Sequence, residues 1–145
     1  MKFVIQRVDE ASVIIDDKIY SSINKGLLVL VGFKVGDTNK LFDYYVNKII
    51  NMRIFNDENK NMNLSLLDIK GSILLVSQFT LLANIKKGNR PSYIESEEYN
   101  IAETLYDDLV NFFKNFEINI EKGTFGANMK LDFVNNGPVT ILLGD

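Results

Sequence analysis

Two runs of this chain, Gly26-Leu27-Leu28-Val29-Leu30-Val31-Gly32 and Ile73-Leu74-Leu75-Val76, are apolar at every position between the polar and glycine residues that bound them. A strand with one wet face alternates apolar and polar side chains. An unbroken apolar run of this length reads instead as a strand buried on both faces.

The remaining pattern supplies more strands and two helices. Phe3-Val4-Ile5 and Val13-Ile14-Ile15 are short β-type runs, and Asp16-Asp17 before Lys18-Ile19-Tyr20 marks a hairpin turn. Gly36-Asp37-Thr38 provides a turn and an N-cap for a helix over residues 39–52, whose Leu41, Tyr44, Tyr45, Ile49 and Met52 recur at helical spacing. Arg53-Ile54-Phe55 reads as a short strand, residues 56–61 as a polar loop, and residues 62–67 fit either strand or loop. A second helix is expected over residues 95–116, with a wide apolar stripe from Ala102 to Phe116. Residues 118–120, 129–134 and 139–143 read as closing strands; Met129, Leu131 and Phe133 alternate with Lys130 and Asp132 as on a half-buried strand. The sum is a single α+β domain over residues 1–145, a strongly curved sheet or barrel with two helices.

Two zeros narrow the chemistry. Without cysteine there are no disulfides, thiolate nucleophiles or thiolate metal sites. Without histidine the usual general base, the Ser-His-Asp and Cys-His triads and most transition-metal sites are removed. No metal or cofactor is expected. A net charge of −3 argues against a protein that coats nucleic acid non-specifically, though not against a local basic patch. No apolar stretch is long enough to span a bilayer, and MKFVIQRVDE begins like a strand, so a cytoplasmic protein with no membrane partner is expected.

Few local motifs point to a site. The adjacent carboxylate pairs Asp16-Asp17, Glu97-Glu98 and Asp107-Asp108 do not share a face, and read as a turn and as solvent-side helix residues. Gly123-Thr124-Phe125-Gly126-Ala127 reads as a loop before it reads as an anion site. Ser77-Gln78-Phe79-Thr80 is less ordinary: polar hydrogen-bonding side chains end a core strand and lead into a basic loop holding Lys86, Lys87 and Arg90. Strand alternation would put Ser77 and Phe79 on one face, and Gln78 and Thr80 on the other. On the residues alone, the four also fit strand-end groups satisfying nearby backbone. Asn135-Asn136-Gly137-Pro138 carries a strong turn signal, with an unusual proline opening the last strand.

Together these stretches resemble the D-aminoacyl-tRNA deacylase family over essentially the whole chain. The resemblance runs through Ile5-Gln6-Arg7-Val8, Gly26 to Gly32, Arg53-Ile54-Phe55 and Met62-Asn63-Leu64-Ser65. It is most specific at Ser77-Gln78-Phe79-Thr80, at Lys87-Gly88-Asn89-Arg90-Pro91-Ser92 and at Asn136-Gly137-Pro138-Val139-Thr140. Asn84, Tyr93, Asn128 and Asn136 depart from the residues usual there, and none of these lies within SQFT or GPVT.

The resemblance implies a compact barrel-like domain that forms a homodimer, with sites at the dimer interface. Hydrolysis of the ester of D-aminoacyl-tRNA is the implied activity, and glycyl-tRNA mischarged on tRNA-Ala is expected to be cleaved as well. Ser77, Gln78, Phe79 and Thr80 would be the catalytic segment, with backbone N–H groups near Gln78, Phe79 and Thr80 holding the carbonyl. The substrate's own 2′-hydroxyl would assist; Thr80 as nucleophile is the competing idea. Gly137-Pro138, expected in cis, would reach into the partner's pocket and reject L-amino acids by a clash. Arg7 would brace that loop, Ala102 and Met129 would border the pocket, and Lys86, Lys87 and Arg90 would meet tRNA phosphates. No DNA partner is expected. The main rival is a non-catalytic RNA- or nucleotide-binding module on the same scaffold.

Overall fold

The computed structural model describes residues 1–145. Its spine is β1 (Lys2–Ile15), which turns through Asp16 and Asp17 into β2 (Lys18–Ile23). Both turn residues have positive φ, 50° and 60°, the backbone of a two-residue hairpin turn that follows strand twist. β3 (Gly26–Gly32) pairs antiparallel with the first half of β1, from Lys2↔Gly32 to Val8↔Gly26, whereas β2 pairs with its second half. β6 (Ser72–Ser77) lies parallel to β3, and β7 (Asn119–Lys122) parallel to β6. A small two-stranded sheet, β4 (Phe55–Asn56) with β5 (Met62–Leu64), lies between; residues 62–64 therefore form strand.

β8 (Lys130–Gly144) runs antiparallel along β1 from Ile14↔Lys130 to Lys2↔Gly144. The two closing strands expected around Asn-Gly-Pro are therefore one strand with two irregularities. Between Val8↔Asn135 and Ala11↔Phe133, β1 has two residues where β8 has one. This bulge shifts the parity of β1: Phe3 and Ile5 face the helices, while Ala11 and Val13 join Val8 on the opposite core. Between Gln6↔Thr140 and Val8↔Asn135, residues 136–139 face Arg7 alone.

Both apolar runs have the double burial expected of them. Leu27, Val29, Val31, Ile73 and Leu75 face the helices, and Leu28, Leu74 and Val76 enter the second core. That second core joins side chains of β1, β2, β3 and β6, with Leu131 and Phe133 of β8 packed on it, so the sheet curls on itself. On the other side, α1 (Phe42–Asn51) contributes Phe42, Val46, Ile49 and Ile50, and α2 (Tyr99–Phe113) contributes Leu105, Tyr106, Leu109 and Phe113. Neither helix is long and apolar enough to cross a membrane.

Both helices are shorter than their apolar stripes. A 3-10 turn, Asn39–Leu41, precedes α1, and Thr38 makes no side-chain cap bond. Asp37 instead accepts from the Lys34 N–H at 2.7 Å and pairs with the Met1 ammonium at 2.6 Å. Residues 94–95 form a turn and 96–98 are non-helical, because Val35 N–H donates to Glu95 and Glu97 N–H donates to Phe33. Those tertiary bonds delay the start of α2 to Tyr99.

Candidate active site

The three parallel strands β3, β6 and β7 deliver their carboxyl ends to one place. Ligands of sheets with parallel strands commonly lie there, since the backbone leaves the ladder and side chains converge on a crevice. A cavity of about 500 Å³ opens at this point, walled by Val31–Phe33 at the end of β3, Val76–Phe79 at the end of β6, the loop 125–129 after β7, and the first turns of α2.

Of the residues singled out above, Ser77, Gln78, Phe79, Ala102 and Met129 line this cavity. Ala102 is almost fully buried on the inner face of α2, and its methyl leaves room that a larger side chain would fill. Thr80, Lys86, Lys87 and Arg90 are exposed beyond the wall. Gly137 and Pro138, joined by a cis peptide, are exposed on β8 and are not part of the same chain's cavity.

The expected alternation across Ser77 to Thr80 is overturned. β6 ends at Ser77, and residues Phe79–Leu82 form a 3-10 turn, so Gln78 and Thr80 do not project as strand neighbours. Their side chains hydrogen-bond instead, with the Gln78 amide donating to the Thr80 hydroxyl oxygen. The Gln78 N–H, expected among the donors to a substrate carbonyl, donates to the Val31 carbonyl at 2.7 Å. Phe79 and Thr80 begin the 3-10 turn, where N–H groups precede any carbonyl of the turn itself.

Several wall residues had no clear sequence signal. Phe125 and Gly126 belong to the stretch read as an ordinary loop, and Tyr99 and Phe33 carried no motif. Phe125 is packed between Tyr99 and Tyr106, at ring-centre distances of 5.1 and 5.7 Å. Gly126 adopts φ +73°, and a Cβ there would collide with the Tyr99 hydroxyl. Tyr106 donates its hydroxyl to the Leu75 carbonyl at 2.8 Å, tying the loop-bearing side of the cavity to β6. Burial pushes that phenol well above its ordinary pKa, so it stays a neutral donor. Glu97, read as a solvent-side helix residue, lies before the helix on the cavity wall. Its carboxylate accepts N–H bonds from Gly36 at 2.8 Å and Glu98 at 2.9 Å.

The Gly137-Pro138 segment is held from three sides. Arg7 Nε donates to the Asn136 carbonyl at 2.8 Å, and its Nη1 reaches the Ile54 carbonyl at 2.7 Å and Asn56 Oδ1 at 3.2 Å. Asn135 Oδ1 accepts the Val139 N–H at 3.0 Å. The Asn136 amide donates to Asp9 at 2.9 Å, a contact in which a carboxylate would repel.

A small α+β fold with a mostly apolar cleft at converging strand ends, in a chain without histidine or cysteine, is that of a hydrolase of the tRNA deacylase type by its relatives. A family model described as D-Tyr-tRNA(Tyr) deacylase matches residues 4–144. The chain is 52% identical over 143 residues to the D-aminoacyl-tRNA deacylase of Thermosipho africanus, covering 99% of this chain and 96% of that one. It is 50% identical to the D-aminoacyl-tRNA deacylase of Fusobacterium nucleatum subsp. nucleatum, covering 99% and 95%. Among solved structures it is similar to the c-Myc DNA Unwinding Element Binding Protein, with TM-score 0.93 and 39% identity over 100% of this chain and 99% of that one. A probable eukaryotic D-amino acid tRNA deacylase shares the fold at TM-score 0.84 and 20% identity, over 98% and 97% of the chains. The chain belongs to the D-aminoacyl-tRNA deacylase family.

Proposed function

We propose that this protein hydrolyses the ester joining a D-amino acid to the terminal ribose of tRNA and leaves the L-aminoacyl ester intact. The observation that carries the reading is the entry of Ser77, Gln78 and Phe79 into a cavity of about 500 Å³ in a chain without histidine or cysteine. Ester hydrolysis in such a site needs an oriented nucleophile and donors aimed at the developing oxyanion, rather than a nucleophile–base pair. Water, oriented by the substrate's 2′-hydroxyl, attacks the carbonyl carbon while the N–H groups of Phe79 and Thr80 hold the oxyanion. The C–O bond then breaks, the ribose oxygen takes up the proton lost by the water through the 2′-hydroxyl and leaves with the tRNA, and the free D-amino acid is released. Thr80 is a poor candidate nucleophile: its hydroxyl is engaged by the Gln78 amide, and the chain has no histidine to serve as its base.

Chirality is read by exclusion. D and L forms carry the same groups, so discrimination requires a clash against one of them. In this reading a homodimer places Gly137 and Pro138 of one protomer in the partner's cavity. Their carbonyls take the α-amino group and leave no space for an L side chain. Glycine has nothing to clash, so glycyl-tRNA mischarged on tRNA-Ala is also hydrolysed. Lys86, Lys87 and Arg90 meet acceptor-end phosphates, which makes the reaction salt-sensitive. Charged tRNA as substrate implies a cytoplasmic location.

A non-catalytic nucleic-acid-binding module is the second reading, favoured by the similarity to a protein described as binding a DNA unwinding element. Matched D- and L-tyrosyl-tRNA separate the two. Fast loss of the D ester alone establishes the deacylase, and survival of both at high protein concentration favours the module.

A further inference from the structure

We propose that Phe79 and Tyr93 form a stacking ledge at the cavity mouth for the unpaired nucleobase adjoining the esterified terminal nucleotide. The inference rests on the deacylase reading and extends it to how the single-stranded end of the substrate is gripped.

Phe79 lines the cavity yet is 57% exposed, and Tyr93 beside it is 38% exposed. Their rings meet edge to face, with centres 5.0 Å apart and planes 64° apart, so a face remains open next to the opening. The exposure is not that of a loose loop. Asn84 and Ser92 exchange two main-chain bonds of 2.8 and 2.9 Å, Ser96 N–H donates to the Tyr93 carbonyl at 2.9 Å, and Ser96 Oγ donates to the Phe79 carbonyl at 3.3 Å. A ledge already held in place loses little freedom when a ligand stacks on it.

The charge beside it identifies the occupant. The ion pairs of the chain use Met1, Lys34, Lys122 and Lys130 as cations, so Lys86, Lys87 and Arg90 in the bridged loop have no carboxylate partner. Three uncompensated cations next to exposed aromatic faces, in a chain of net charge −3, match a short single-stranded stretch of nucleic acid. The phosphates meet the cations and the bases meet the rings. Paired bases present no free face, so a duplex does not fit. Stacking accepts any base, so the ledge grips the end of tRNA without reading its sequence.

The test compares D-tyrosyl-tRNA with D-tyrosyl-adenosine, which ends before the ledge, for the wild type, Tyr93→Leu and Tyr93→Phe. Tyr93→Leu is expected to raise KM for the tRNA ester about 5- to 150-fold, the range of one base stack. It should change kcat/KM for the nucleoside ester less than twofold, and Tyr93→Phe should behave as wild type. A tRNA abasic at the adjoining position should raise the wild-type KM similarly and add nothing to Tyr93→Leu. An unchanged KM, an equal loss on both esters, or a loss traced by sedimentation to impaired self-association overturns the ledge. Inertness of the wild type towards both esters overturns the deacylase reading itself.

Discussion

Arg7 and Asn136, 129 positions apart in the chain, are joined by a 2.8 Å hydrogen bond from the guanidinium Nε to the main-chain carbonyl. Arg7 is 8% exposed and pairs with no carboxylate; its fork is satisfied by the Asn136 and Ile54 carbonyls and Asn56 Oδ1. One side chain therefore anchors the segment in which four residues of β8 face a single residue of β1.

Removing that fork should release the segment. Arg7→Ala is expected to cost about 2–4 kcal/mol of stability, since two carbonyls lose a charged donor. Arg7→Lys keeps the charge but not the planar fork, and should recover only part of the loss. Thermal melts measure stability, and the ratio of D- to L-tyrosyl-tRNA hydrolysis measures the segment's role; an unchanged ratio in a folded Arg7→Ala protein removes that role.

Gly126→Ala should act through two separable effects. The left-handed backbone at φ +73° costs a non-glycine residue about 1–2 kcal/mol, and the new methyl displaces Tyr99 from Phe125. In a Tyr99→Ala background the second effect disappears. A double-mutant cycle on KM should show coupling of about 0.5–3 kcal/mol, and strict additivity would mean that the collision does not occur.

Tyr106→Phe retains the buried ring and removes the bond to the Leu75 carbonyl. The Leu75 carbonyl keeps the Gly123 N–H at 2.9 Å, so loss of the hydroxyl bond should lower stability by about 0.5–1.5 kcal/mol. Because burial raises the phenol's pKa, the loss should be the same from neutral pH up to about pH 10. Urea titrations at several pH values provide the check.

Acid should weaken the fold through Asp57 and Asp68. The Asn61 N–H holds the Asp57 carboxyl below the usual range, and the Ser65 N–H does the same for Asp68. In the unfolded chain both bind protons at about pH 4. Their contribution is thus present above that pH and disappears as the pH falls through the lower folded values. Asp57→Asn and Asp68→Asn should flatten the stability profile below about pH 4, as followed by denaturant midpoints, and an unaltered acid limb would reassign it to other carboxylates.

Much of the fold was legible in local pattern. The runs at Leu27–Val31 and Ile73–Val76 announced strands with two covered faces, and each divides its side chains between two cores. Asp16-Asp17 announced a hairpin, because few sequences place two residues in the left-handed region together. The helical stripes were legible too, but their ends were not: residues 95–98 continue the helical composition and are held out of the helix by bonds to Phe33 and Val35.

The site divides in the same way. By itself the sequence determined the chemistry available, because the absence of histidine and cysteine removes whole mechanisms whatever the fold, and its family resemblance singled out Ser77 to Thr80 and Gly137-Pro138. Only the tertiary structure decided which residues share a cavity. The Gln78 N–H is taken by the last bond of the β3–β6 pairing, to the Val31 carbonyl, before the chain turns away at Phe79. Asn-Gly-Pro interrupts a strand instead of turning it, because pairing with β1 resumes on both sides and Arg7 holds the excess. Phe125 becomes a wall because Tyr99 and Tyr106 enclose it. Each of these outcomes depends on a partner far along the chain, and local propensity carries no information about such partners.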